Sequence, residues 1–88
     1  MVEPLRYAIR ISHQAKKDIE KLEPKLKQKL HAILTNVISS NPYEGKKLIG
    51  DLAGSYSYRL TFRDRIVYSI DDEKKIVYIE RARTHYGE

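Results

Sequence analysis

Residues 24–40 read PKLKQKLHAILTNVISS. Leu26, Leu30, Ile33, Leu34, Val37 and Ile38 recur at intervals of four, three, one, three and one, the apolar stripe of one helix face. Lys25, Lys27 and Lys29 take the opposite face. Pro24 suits the first helical turn, where its missing N–H has no partner to lose. A helix with one apolar stripe must bury it, so its flanks set the architecture.

Upstream, Ala15, Ile19 and Leu22 are spaced by four and three, predicting another amphipathic helix of about three turns with Ser12 as its N-cap. The short link between the two predicts an antiparallel helical hairpin. Before it, LRYAIRIS alternates, with Tyr7, Ile9 and Ile11 against Arg6, Ala8 and Arg10, the pattern of a short half-buried strand. Downstream, Pro42 and Gly45 in SSNPYEG stop the second helix, and the period then switches to two. Tyr56, Tyr58, Leu60 and Phe62 share one face, and Ser57, Arg59 and Thr61 the other. Arg63–Asp64 turns the chain into RIVYSI, and DDEK turns it into IVYIERAR, whose first half is apolar on both faces and so interior to a sheet. The expectation is one α+β domain over residues 1–88: an N-terminal strand, then an antiparallel helical hairpin packed on an antiparallel sheet that ends in a three-strand meander.

The 88 residues contain no cysteine, which excludes a disulfide framework and thiolate metal sites. No apolar run approaches the ~20 residues of a membrane span, and the start lacks a signal-peptide pattern. A cytoplasmic protein without a membrane partner is expected. The net charge of +5 points to a polyanionic partner, either nucleic acid or an acidic protein segment.

Arg59, Thr61 and Arg65, and later Arg81 and Arg83, fall on polar strand faces. Alternation keeps Arg81 and Arg83 together, but their side relative to Arg59 and Arg65 depends on register, which sequence does not display. If they agree, an arginine cluster forms with His85 and Tyr86 just beyond the last strand. Guanidinium forks suit phosphate oxygens. The competing reading pairs these arginines with Asp64, Asp71, Glu80 or Glu88 as surface ion pairs. A histidine can move protons near neutral pH, and a tyrosine ring can stack on an RNA base. Together these are the parts for RNA cleavage by the substrate's own 2′-hydroxyl, with no metal or cofactor. His13 and His31 share no metal-ligand spacing and read as structural or solvated.

NPYEGKKL, then LAGSYSYRLTFRDRIVYSI, then the final RTHYG resemble the RelE/ParE superfamily of toxins from type II toxin–antitoxin pairs, closest to the YoeB/RelE branch. The element order matches over nearly the whole chain. The resemblance implies a ribosome-dependent messenger RNA endoribonuclease cutting in the A site of the 70S ribosome. It also implies a cognate antitoxin, in a hetero-oligomer able to sit on operator DNA. Carried over by position, Arg65 is the phosphate and transition-state contact, His85 the proton-transfer residue and Tyr86 the positioning or stacking residue. Arg59 is a substrate contact, and Lys46, Lys47, Arg81 and Arg83 complete the substrate-binding set. YoeB-like toxins carry a glutamate, proposed as general base, after the E-G motif. Here that segment reads KKLIGDLAG, without glutamate, and Lys46 and Lys47 stand there as in the RelE branch. The base is therefore open: His85 as base with a cation supporting the leaving group, or His85 as acid with another base. The alternatives are a ParE-type DNA gyrase inhibitor and an inactive antitoxin-binding relative.

Overall fold

In the computed structural model, which describes residues 6–83, Ser12 caps the first helix. Its hydroxyl accepts the Ala15 N–H at 3.0 Å, satisfying one of the donors that a helix start leaves open. α1 spans His13–Glu20 and α2 spans Pro24–Ile33, with Pro24 in the first turn. α2 runs on into a π-helical turn, Leu34–Ile38, in which the Ser39 N–H reaches the Leu34 carbonyl at 3.0 Å. There the Thr35 and Ser39 hydroxyls donate to the His31 and Thr35 carbonyls, both at 2.8 Å, and compete with the regular ladder.

The strands are β1 (Ala8–Ile11), β2 (Lys46–Lys47), β3 (Ser55–Arg59), β4 (Arg65–Asp71) and β5 (Ile76–Arg83), in sheet order β1-β5-β4-β3-β2. β3, β4 and β5 form the expected antiparallel meander, and β5 is interior. The expected all-antiparallel sheet is corrected at one edge. β1 runs parallel to β5, from Ala8 opposite Ile76 to Ile11 opposite Ile79, so the sheet is mixed. Strand direction depends on which edge receives the chain after the helices, and periodicity carries no such information. The other edge is β2, a two-residue strand too short to show a period.

The helices bury one face of the sheet. Leu30, Ile33, Leu34 and Ile38 meet Leu60, Ile66, Tyr68, Val77 and Ile79, and Tyr7, Tyr56 and Tyr58 pack around them. Phe62 departs from the expected core face and is 90% exposed. β3 ends at Arg59 because the next residues close a turn on Asp64. The Leu60 and Thr61 N–H groups both donate to the Asp64 carbonyl, at 2.8 and 3.2 Å. The Thr61 hydroxyl donates to the Asp64 carboxylate and accepts the Asp64 N–H, both at 2.9 Å. This side-chain-to-backbone turn ejects Phe62.

The NPYEG stretch turns out to be a shelf for Tyr68. Asn41 Oδ1 accepts the Tyr43 N–H at 3.3 Å and opens a short 3₁₀ turn, Pro42–Glu44. The buried Tyr68 hydroxyl donates to the Pro42 carbonyl at 2.6 Å. Burial pushes the Tyr68 phenol up to about 12. Its ring stacks on Tyr56, with centroids 5.9 Å apart, and Tyr43 meets Tyr56 edge-on at 5.8 Å.

Asp72, in the β4–β5 turn, ties this end of the sheet to β1. It accepts from the Tyr7 hydroxyl, from the Tyr43 hydroxyl at 3.2 Å and from Lys75 Nζ at 3.3 Å. The Tyr7 hydrogen bond, followed by that of Lys75, holds the Asp72 carboxyl below the usual carboxylate range. A depressed folded pKa means that the contribution is present above about pH 4 and lost as pH falls through the folded value. Solvent exposure of the group keeps it modest. Asp72→Asn should therefore lower the urea midpoint at pH 6, and the gap from wild type should close towards pH 3. A gap of constant size across that range would show that charge at Asp72 contributes nothing.

Candidate functional site

Cross-strand register resolves what the sequence left open. Arg59 on β3 stands opposite Arg65 on β4, and Arg65 stands opposite Arg83 on β5. Directly opposed positions share a face, so the three positions form one row across the sheet. Ile66 and Tyr68 turn to the helices, so the row lies on the other face. The next row on that face is Ser57, Val67 and Arg81, with Lys46 beside Ser57. Ser55, Ser57 and Val67 are buried there, and their small side chains make a floor that the arginine row rims at one end.

The residues of the expected substrate-binding set part company here. Lys46 shares the arginine face, whereas Lys47 stands opposite Tyr56 and projects to the helix face. Arg81 is held by the protein itself. Its Nε and Nη2 donate to the two Asp18 carboxylate oxygens at 2.8 and 3.2 Å, and Asp18 Oδ2 also accepts the Ala82 N–H at 3.0 Å. This clamp joins α1 to β5 along a cleft of about 570 Å³. Between Val67 and Tyr68 the β4–β5 register shifts, so β5 carries the extra residue Glu80, whose carboxylate accepts the Ser55 hydroxyl at 3.0 Å.

Of these arginines Arg81 is ion-paired, though to Asp18, while Asp64, Asp71 and Glu80 pair with none of the described arginines, and Glu88 lies outside the described residues. Asp64 is 4% exposed and bonded within its own turn, Asp71 accepts the Lys74 N–H, and Glu80 faces Ser55. Neither Arg59 nor Arg65 makes an ion pair with any described residue, and both are exposed. Like charges directly opposed across strands destabilise a sheet by roughly 0.2–1 kcal/mol. Such a row is intelligible where an anion is to be bound. His85 and Tyr86 lie outside the described residues. His13 and His31 are exposed on the helices, as expected. Among the described residues no helix is long and apolar enough to cross a membrane.

The described residues thus form a mixed sheet with two helices on one face and an arginine row on the other. The profile of the ParE-like toxin family, described as toxins of type II bacterial toxin–antitoxin systems, matches residues 9–87, and the chain belongs to this family. Among solved structures, the chain is similar to the RelBE2 toxin–antitoxin complex of Mycobacterium tuberculosis, at 32% identity and a TM-score of 0.83, over 91% of this chain and 99% of that one. It is also similar to the YoeB–YefM complex of Staphylococcus aureus, at 30% identity and a TM-score of 0.74, over 92% and 99%. A third likeness is the E. coli RelBE toxin–antitoxin complex, at 27% identity and a TM-score of 0.76, over 92% and 99%. No curated protein matches. The YoeB/RelE likeness read from the sequence motifs is thus met by the family and by the fold.

Proposed function

We propose that this toxin is a ribosome-dependent messenger RNA endoribonuclease that cuts in the A site and inhibits translation. The observation that supports this reading is the Arg59–Arg65–Arg83 row, a line of cations on one sheet face at the strand end from which the chain continues to His85 and Tyr86. Arg65, at the centre, holds the scissile phosphate and offsets the negative charge that grows on it in the transition state. Arg59 and Lys46 hold the flanking backbone, with Arg83 as the third position of the row. The substrate's 2′-oxygen loses its proton and forms a bond to phosphorus. The bond from phosphorus to the 5′-oxygen breaks, and that oxygen takes up a proton. A 2′,3′-cyclic phosphate and a 5′-hydroxyl result. His85 carries one of the two proton transfers, and Tyr86 positions a base. No metal enters this scheme. The ribosome orders the messenger for in-line attack and so supplies geometry that the small domain lacks.

A cognate antitoxin is the partner in this reading. The similar structures of M. tuberculosis, S. aureus and E. coli are toxin–antitoxin complexes, which supports it. The test is a translating-ribosome reaction programmed with a defined messenger, with wild type and with His85→Ala, mapping cut ends in the A-site codon. Cleavage by wild type alone is expected. A folded wild-type protein that leaves the messenger whole and instead blocks DNA gyrase supercoiling would establish the ParE-type activity.

A further inference from the structure

β2 pairs with β3 only at Tyr56 and Ser57, so no described strand covers the outer edge of β3 from Tyr58 onward. Beside that edge lies a groove of about 520 Å³ lined by Lys29, Tyr58, Arg59, Leu60, Thr61 and Phe62. Phe62 is 90% exposed at the tip of the β3–β4 turn. Its backbone is braced on both sides, because the Thr61 hydroxyl accepts the Arg63 N–H at 3.1 Å and the Asp64 N–H at 2.9 Å. The turn's carboxylate, Asp64, is buried and lines a different cleft. Among the described residues the groove therefore offers two aromatic rings, two cations and no carboxylate. Arg59 belongs both to this groove and to the arginine row, so the two surfaces are continuous.

We infer that this groove is a base-stacking subsite for single-stranded RNA leaving the arginine row, with Phe62 as its platform. The inference rests on the ribonuclease reading above. An aromatic ring flanked by cations suits a strand that carries both bases and phosphates. An apolar protein segment would suit a broader apolar surface, and Lys29 and Arg59 line this one with positive charge instead. Phe62 acts on the reaction by holding the messenger, outside the bond-breaking chemistry.

Truncating Phe62 leaves no cavity, since the ring contacts mainly water, so Phe62→Ala should unfold at the wild-type temperature. On programmed ribosomes it should raise KM for cleavage roughly 10-fold, with kcat moving less than about 3-fold. Phe62→Tyr should restore KM to within about 2-fold, and Phe62→Leu should not, because stacking needs a π face rather than apolar area. The chain has no tryptophan, so Phe62→Trp gives a fluorophore that reports this groove alone. Single-stranded oligoadenylate should quench it, and an acidic amphipathic peptide should not. Wild-type cleavage with an unaltered KM in Phe62→Ala would overturn the inference while leaving the ribonuclease reading standing. Quenching by the peptide and not by RNA would make the groove a protein-contact surface and also overturn it. Absence of cleavage by wild type, with quenching by RNA retained, would remove the ribonuclease reading and keep the subsite.

Discussion

Arg65→Ala should lower the single-turnover cleavage rate on programmed ribosomes by roughly 100- to 1,000-fold, the usual effect of removing one preorganised donor from a developing oxyanion. The same variant should be no less stable than wild type in urea. Arg65 is exposed, makes no ion pair with any described residue and faces Arg59 across the β3–β4 pair, with Arg83 at the paired position on β5. Its removal relieves like-charge repulsion, worth roughly 0.2–1 kcal/mol per opposed pair. An activity that falls while stability holds or rises separates a functional cation from a structural one. Arg65→Lys refines the test. It keeps the charge and loses the planar fork, so it should recover only a small part of the rate. A variant that cuts at the wild-type rate would move the phosphate contact elsewhere in the row.

Gly45→Ala should destabilise the domain by roughly 2–3 kcal/mol, the upper range for forcing extra volume into a packed site. Gly45 has φ near −72°, which any residue adopts, so its requirement is space and not backbone conformation. An added Cβ would collide with the Tyr68 hydroxyl and would lie 2.8 Å from the Ser57 carbonyl oxygen. Tyr68 cannot move aside, because its ring is buried, stacked on Tyr56 and hydrogen-bonded to Pro42. For a domain of this size, the loss corresponds to a fall in Tm of roughly 10–20 °C. Tyr68→Phe in the Gly45→Ala background should recover part of the loss by removing the clashing oxygen, and the rest should persist because the Ser57 contact is backbone. A wild-type Tm in Gly45→Ala would mean that the shelf and β3 can separate freely.

Much of this was legible in local pattern. The helix stripe around Leu30 and Leu34, the Ser12 cap, the Pro24 start and the core register of Tyr7, Tyr56, Tyr58 and Tyr68 all follow from spacing, because burial against one face imposes it. What escaped was non-local or was decided by side-chain hydrogen bonds. The parallel seating of β1 beside β5 depends on strands more than sixty residues apart. Phe62 followed the alternation of β3 on paper, yet the Thr61–Asp64 turn ended the strand first, and Thr-x-x-Asp was the available signal. For the candidate site, the residue types were readable and their alignment was not. Arg59, Arg65 and Arg83 became one row only through register, and Arg81, equally basic in sequence, was captured by Asp18. His85 and Tyr86 lie outside the described residues, and their place rests on the resemblance.

The interior position of β5 bears on timing. Among the described strands β5 is the last to be synthesised, yet it lies between β1 and β4, which are made earlier. Until it docks, β1 has no strand partner, β4 lacks its second neighbour, and the arginine row is short of its third member. A nascent chain can fold its helices early, since their contacts are local, but it must wait for this closing insertion. On the proposed ribonuclease reading, the phosphate-binding row therefore stays one member short for as long as synthesis has not passed Arg83.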